Sequence, residues 1–315
     1  MKVVLLAAGK GERLYPITNE IPKQMIKIGG KPILEYILEK LISLNFNDIC
    51  IVVGHNGVKI KQYFKDGARF GIKISYVFQQ EQNGTANATY LAKDFVGNNP
   101  FLLYLADTII PNDLEHFLQN VTFDNSDVTL LSSKISPNQT KSVGNILVND
   151  GIVKEISEKS QIEGTKFGWA GLAFFKSHLI FKTIENLHLS RTKEFEITEA
   201  IGNMLRDGKI IKNFQCSSFI DTGTLNGLCN LMKFLLKDNY ETLSTQIINP
   251  VYVGKNCKFG KNTKIGPQVS VGDNISIGEN TILKNSIILD DTNILPNQKI
   301  SYSILSPNHK ISLEN

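Results

Sequence analysis
Between residues 253 and 295 one apolar side chain returns every six residues: Val253, Phe259, Ile265, Val271, Ile277, Leu283, Leu289 and Leu295. Self-similarity held at a fixed short period marks a repeat architecture rather than an ordinary layered domain. A hexad makes one flat face of a three-sided coil of parallel strands, with the leading apolar residue filling the axis. Gly254, Gly260, Gly266, Gly272 and Gly278 follow the first five leaders and are expected to turn the corners. Four positions after each leader come Cys257, Thr263, Val269, Ile275, Thr281, Ile287 and Asn293, mostly small or β-branched. At three hexads per coil the stack has nearly three coils, close to the minimum for a self-burying array. The module should therefore lean on the rest of the chain or on another subunit.

The first part of the chain reads differently. Residues 2–8, 49–53, 72–78 and 101–106 are short apolar runs of strand length. Helical patterns lie between them, at 32–44 (Ile33, Tyr36, Ile37, Leu41 and Leu44 on one face) and from Thr85 to Val96. Strands alternating with helices imply an α/β domain with a mostly parallel sheet covered on both faces. Asn149-Asp150-Gly151 between the runs 145–148 and 152–156 is a hairpin signal. A strand near 168–175, helices near 177–186 and 195–206, a strand near 209–215 and a helix from about 224 to 237 follow. Residues 240–249 read as a linker. The domains expected are therefore 1–240 and 250–305.

No apolar run of the 315 residues approaches the roughly 18 needed to span a membrane, so no membrane partner is expected. The apolar stretch Val3–Ala8 is too short for a secretion signal and reads as a buried strand. Four scattered cysteines, Cys50, Cys216, Cys229 and Cys257, have no paired spacing, which argues for a reducing cytoplasm. A net charge of +4 is too small to imply nucleic acid. Its placement matters more. Lys2, Lys10, Arg13, Lys23, Lys27 and Lys31 face only Glu12 and Glu20 in the first 31 residues. A basic cluster of this kind suits a polyphosphate.

That cluster sits in a motif, LLAAGKGERLYPITNEIPKQMIKIGGKPILEY, at residues 5–36. A strand ends at Ala8, and Gly9 and Gly11 then let the backbone turn so that its N–H groups can cradle phosphates. Leu14 stands where a dinucleotide fingerprint has its third glycine, and no Gly-Lys-Ser/Thr closes a Walker loop. The stretch resembles the signature of the sugar-1-phosphate nucleotidyltransferases, G-x-G-x-R-x-x-P-x-T…P-K. The Leu14-Tyr15-Pro16 run and the Lys23-Gln24 pair are most similar to the glucose-1-phosphate thymidylyltransferases. The resemblance continues to about residue 240. It implies a Rossmann-like nucleotidyltransferase domain, followed here by a short left-handed parallel β-helix.

The resemblance implies roles residue by residue. Leu6, Ala7, Ala8, Gly9, Lys10, Gly11, Glu12, Arg13, Lys23 and Gln24 would bind the nucleotide. In the segment 79–86, QQEQNGTA, Gln79 would pair with a pyrimidine edge, Gly84 would let the backbone approach the base, and Thr85 would belong to the same nucleotide-binding set. Asp107, after an apolar strand, and Asp221, in FIDTGT, would hold magnesium. Ala106 and Phe219 stand where the family has glycine and tryptophan. Gly144, Glu158, Lys159, Trp169 and Gly171, with Asp107 and Asp221, would bind the sugar phosphate. Val143, Ser160 and Trp169 depart from the family pattern there. Glu194-Phe195-Glu196-Ile197-Thr198-Glu199 resembles E-x-E-x-T-D, a supporting element.

The implied reaction joins a nucleoside triphosphate, dTTP or UTP, to a hexose 1-phosphate, with glucose 1-phosphate the default. Arg13, Lys23, Asp107, Lys159 and Asp221 are the catalytic set. A homo-oligomer, built through the β-helix or the main domain, is expected. Two rivals stay open. A hexapeptide-repeat acyltransferase needs a histidine near its coils, whereas His309 lies after the last leader. A non-catalytic regulatory subunit would account for Val143, Ser160, Trp169 and Phe219 but not for the retained lysines and carboxylates.

Overall fold
The computed structural model describes residues 1–121, 125–136, 139–159, 162, 164–189, 194–237 and 247–313. Two compact units form: Met1–Lys10 with Lys40–Phe219, and Gly11–Glu39 with Ile220–Asn315.

The first unit is built on a nine-stranded sheet. Its strands are β1 (Lys2–Ala7), β2 (Asp48–Val53), β3 (Lys73–Phe78), β4 (Phe101–Leu105), β5 (Val128–Lys134), β6 (Gly144–Asn149), β7 (Ile152–Glu158), β8 (Phe167–Phe175) and β9 (Ile211–Gln215). Their spatial order is β3-β2-β1-β4-β8-β5-β9-β7-β6. β8 and β7 oppose the others, so the sheet is mostly parallel. β1, β2 and β4 are continuous runs of β-branched and long apolar residues because both faces are covered. Val4, Leu103, Val128, Phe175 and Ile201 belong to one buried cluster. The hairpin at Asp150-Gly151 has both residues at positive φ, 49° and 74°, as a two-residue turn matched to strand twist requires.

Most boundaries follow the expected ones within about two residues: Leu179–Glu185, Ile197–Arg206 and Leu225–Leu235 are helical. One element differs. The expected helix from Thr85 to Val96 divides into Thr85–Tyr90 and Lys93–Val96. The Ala92 N–H donates to the Thr89 carbonyl, three residues back, which tightens the turn and breaks the four-residue ladder. Of the expected linker, residues 240–246 lie outside the described residues.

In the second unit, short parallel strands stack in three sheets. Val251–Val253 pairs with Val269–Val271, which pairs with Ser286–Ile288, which pairs with Ser303–Leu305. Two further stacks run Lys258–Phe259, Ser276–Ile277, Asn293–Ile294 and Lys264–Ile265, Ile282–Lys284, Lys299–Ser301. The early pairings step 18 residues (Val251 to Val269); the later ones step 17 (Val269 to Ser286). One side is thus five residues long, and the register slips after Leu283. Ile288, Ile294 and Ile300 join the buried cluster with Val271, Ile277 and Leu283. Leu295, expected on the axis, is 66% exposed. Leu289 is buried but does not belong to that cluster. Thr292 is buried and Asn293 exposed, the same one-residue shift.

The corners differ from expectation too. They are turned by left-handed asparagines, aspartate and glutamine (Asn256, Asn262, Gln268, Asn274, Asn280, Asp291 and Asn297, φ 57–61°) and not, in general, by the glycines. Short polar side chains tolerate this conformation best after glycine. They also form ladders between coils: Asn256 Nδ2 donates to Asn274 Oδ1 (3.0 Å), and Asn274 Nδ2 to Asp291 Oδ1 (2.9 Å). The glycines serve close stacking. A Cβ on Gly260 would sit 2.4 Å from the Glu279 nitrogen, and one on Gly278 2.3 Å from the Pro296 nitrogen.

This unit also carries the segment Gly11–Glu39. Its hairpin, Lys27–Ile28 with Lys31–Pro32, lies on the coils. Lys27 Nζ reaches Asp290 (2.6 Å) and Asp273 (3.7 Å), and the Gly29 N–H donates to Ser270 Oγ (2.9 Å). The expectation that the repeat module leans on another element is met here by the phosphate-motif segment.

Candidate active site
In a parallel sheet, ligands bind beyond the carboxyl ends of the strands. Gln79 follows β3 and Asp107 follows β4, both at that end. β8 runs the other way, and Leu172 pairs with Tyr104, so the start of β8 lies past the end of β4. Gly168 then pairs with Asn145, and Gly144 with Glu158. This chain of registers carries Trp169, Gly171, Gly144, Glu158 and Lys159 to the same end of the sheet as Asp107.

Two glycines make the convergence possible. At Gly171 (φ 76°) the β8–β5 register shifts, and a Cβ would lie 3.0 Å from Thr108 Oγ1 and 3.1 Å from Leu105 Cβ. A Cβ on Gly144 would meet Thr198 Cγ2 at 2.9 Å and Glu158 Oε2 at 3.4 Å. Trp169 stands on the same bulge. Its indole N–H donates to the Leu172 carbonyl (2.7 Å), and it is 6% exposed, part of the buried cluster.

The segment 79–86 is tied down at several points. Gln82 Nε2 donates to the Ala8 carbonyl at the end of β1 (2.5 Å). Gln79 is 3% exposed, and its Nε2 donates to the Gly84 carbonyl and to Asn87 Oδ1, both at 3.1 Å. Both Nε2 donations stay inside the loop. Gly84 was expected to approach a base. Its backbone also lies close to protein: a Cβ there would lie 2.4 Å from the Phe195 oxygen and 2.6 Å from its nitrogen.

Glu158 ends β7, and its Oε2 accepts from Thr198 Oγ1 (3.0 Å); Lys159, at φ 45°, puts Nζ 3.5 Å from Glu158 Oε1. Burial pushes the Glu158 carboxyl above its ordinary range, and the Glu196 charge adds to this, against the pull of Lys159 and Thr198. A carboxyl raised in the folded state takes up a proton there more readily than in the unfolded chain. It therefore costs stability as pH rises above the carboxylate range. Glu158→Gln should leave the melting temperature unchanged near pH 4 and raise it relative to the native chain toward about pH 8. A difference independent of pH would overturn this.

The second unit holds the part of the motif at 5–36 that begins at Gly11. Gly11 (φ 72°) opens the turn Glu12–Leu14, and Thr18 Oγ1 donates to the Gly11 carbonyl (2.9 Å). Arg13 Nη1 donates to Asp221 Oδ2 (3.3 Å), while the Gly223 N–H donates to Asp221 Oδ1 (2.8 Å). A Cβ on Gly223 would sit 2.8 Å from Arg13 Nη2 and 2.9 Å from Asp221 Oδ1, so both side chains lie close over this glycine. Lys23 is 7% exposed and Gln24 1%; the Gln24 amide oxygen has no hydrogen-bond partner among the described residues. Leu6, Ala7 and Ala8 are buried at the end of β1, whereas Gly9, Lys10 and Glu12 are exposed. Ser160 lies outside the described residues. Gln82, Glu196, Thr198 and Gly223 are the site-building residues that the motif alone did not single out. Only the E-x-E-x-T pattern hinted at two of them.

No group of three or more His, Cys, Asp or Glu side chains that could hold a metal occurs among the described residues. No helix among them is long and apolar enough to cross a membrane. Cys50, Cys216, Cys229 and Cys257 are free.

Comparison with known proteins identifies the family. Residues 2–238 match the family described as nucleotidyl transferase, and residues 247–314 match the GMPPB C-terminal domain. The low-salt glycan biosynthesis nucleotidyltransferase of Haloferax volcanii is 32% identical over 240 residues, 76% of this chain and 67% of that protein. A UTP–glucose-1-phosphate uridylyltransferase of the same organism is 32% identical over 212 residues, 67% of this chain and 86% of its own length. A Bacillus anthracis structure solved with sucrose, described as a candidate glucose-1-phosphate thymidylyltransferase, superposes with a TM-score of 0.67 at 25% identity. It covers 78% of this chain and 98% of that one. With the phosphate motif, the mostly parallel sheet and the carboxyl-end residues in place, this chain belongs to the nucleotidyl transferase family.

Proposed function
We propose that this protein transfers a nucleotidyl group, dTMP or UMP, from the triphosphate to a hexose 1-phosphate, with glucose 1-phosphate the default, and releases pyrophosphate. The observation that carries the reading is the convergence of Gln79, Asp107, Glu158 and Lys159 at the carboxyl end of one sheet. The Gln79 amide oxygen is an acceptor that suits an imide N–H, which uracil and thymine present at N3 and cytosine does not. Relatives named for UTP–glucose-1-phosphate and glucose-1-phosphate thymidylyl transfer support the same substrates.

No protein nucleophile is needed, because in-line phosphoryl chemistry is driven mainly by positioning and charge. Arg13 would neutralise the departing pyrophosphate. Lys23 would hold the α-phosphate, and Lys159 the phosphate of the sugar. Glu158 would accept from sugar hydroxyls. Asp107 and Asp221 are the carboxylates that would hold magnesium. The donor type suits the ion: Asp221 is a partly exposed hard oxygen donor, and magnesium takes carboxylate oxygens together with waters and phosphate oxygens. When bound, the ion would supply charge neutralisation across the phosphates.

The reading has a modular side. Residues 1–240 would form the catalytic module and 250–305 a left-handed parallel β-helix, with hexad strands stacked in three sheets as support. A homo-oligomer in the cytoplasm fits the scattered free cysteines and the repeat. The test is pyrophosphate release with magnesium, glucose 1-phosphate and each of dTTP, UTP, CTP, ATP and GTP. Release with dTTP or UTP, abolished by EDTA, is expected. Release with another triphosphate would overturn the Gln79 assignment. Silence with all five, and with other sugar phosphates, would overturn the function.

A further inference from the structure
Three consecutive residues join the base-reading segment to the sugar-side carboxylate. Glu196 precedes the helix Ile197–Arg206, and Ile197 and Thr198 open it. On one side, Thr85 Oγ1 donates to Glu196 Oε2 (2.9 Å) and accepts from the Ile197 N–H (2.9 Å). The backbone closes the same contact: the Phe195 N–H donates to the Asn83 carbonyl (2.8 Å), and the Ala86 N–H to the Phe195 carbonyl (2.7 Å). On the other side, Thr198 Oγ1 donates to Glu158 Oε2 (3.0 Å). Glu196 is 4% exposed and Thr198 fully buried, so neither hydroxyl nor carboxylate has water as a ready substitute. The helix they begin packs on both β7 and the helix Thr85–Tyr90.

We propose that the Glu196–Ile197–Thr198 turn is a positioning device that couples nucleotide recognition at Gln79–Thr85 to sugar recognition at Glu158. Thr198 fixes which way the Glu158 carboxylate points. Without that donor, the carboxylate is free to turn to Lys159, whose Nζ is 3.5 Å from its other oxygen, and both groups are lost to the sugar phosphate. Glu196 holds Thr85, so a shift of the base-side loop moves the same turn. Burial pushes the Glu158 carboxyl upward, and the Glu196 charge adds to this. The inference rests on the nucleotidyl-transfer reading above and names what aligns its two substrates.

The experiment is steady-state kinetics with the triphosphate and the sugar 1-phosphate varied separately. Thr198→Val keeps the side-chain shape and removes the donor. A hydrogen bond to a charged group is worth a factor of roughly 10 to 100, so the sugar 1-phosphate KM should rise by about that factor. The triphosphate KM and kcat should stay within about threefold, and Thr198→Ser should restore the sugar KM. Thr198→Ala, which leaves space instead of a buried methyl, should show the same split if the valine fails to fold. Thr85→Val should raise both KM values, and its effect on the sugar KM should vanish in a Thr198→Val background, the non-additivity expected of one linked unit. Equal rises in both KM values for Thr198→Val, no rescue by serine, or additive effects in the double variant would overturn the proposal. A native protein that releases no pyrophosphate would instead overturn the functional reading beneath it.

Discussion
Asp221→Asn is expected to lower kcat about 100- to 1,000-fold with little change in the unfolding midpoint. The size follows from removing one charge contact at a phosphoryl-transfer centre, by analogy with a deleted oxyanion donor, roughly 2.7–4 kcal/mol. The absence of a stability effect follows from geometry. Asparagine retains an oxygen for the Gly223 N–H, which donates to Oδ1 at 2.8 Å. The lost partner is Arg13, whose side chain is 55% exposed and pairs with Asp221 at 3.3 Å. An exposed pair of this kind contributes about 0–1 kcal/mol. The magnesium concentration for half-maximal rate should also rise, because the carboxylate proposed to hold the ion is gone. Pyrophosphate release and a circular-dichroism melt on the same preparation separate the two effects. Near-native turnover would remove Asp221 from the proposed machinery.

Gly84→Ala should be the most disruptive single methyl in the first unit. The residue sits at φ 117°, where an L side chain is strained, and the new Cβ would lie 2.4, 2.6 and 2.8 Å from three backbone atoms of Phe195. Backbone cannot rotate away as a side chain can. Strain and overpacking together predict a loss of roughly 2–5 kcal/mol, read as a lower urea midpoint, along with a raised triphosphate KM. Gly151→Ala is the control. It has φ 74° but nothing within 4 Å of the added Cβ. It carries only the left-handed penalty, roughly 1–2 kcal/mol, and should leave the KM values alone. Equal losses for the two variants would mean that the Phe195 approach does not matter.

The two glycines also show where a sequence stops being informative. Asn149-Asp150-Gly151 announces its turn locally, since adjacent residues dictate the positive φ values. At Gly84 the motif says nothing of a second demand on the glycine, the close approach of a peptide more than 100 positions away. The repeat makes the same point. Its period was plain, but counting in sixes carried the expected axis to Leu295, which is exposed. The clue to the shorter side was present in the spacing of Asn274, Asn280, Asn285, Asp291 and Asn297, all at positive φ. It had no weight until the corners were known to be built by these residues and not by glycine.

The sequence alone determined the elements whose cause is local: apolar strand runs, helix faces, the hairpin, the six-residue period and the phosphate motif. Each follows from a periodicity or a backbone preference that neighbouring residues set. Tertiary structure decided what depends on distant pairings. The antiparallel course of β8 brought Trp169 and Gly171 past the end of β4, and the turn at Glu196 joined Thr85 to Glu158. The same holds for the packing of Lys27 and Gly29 on the coils, which unites the phosphate motif with a module encoded more than 200 residues later. Such contacts are chosen by complementarity of surfaces, and no local pattern in the chain records that choice.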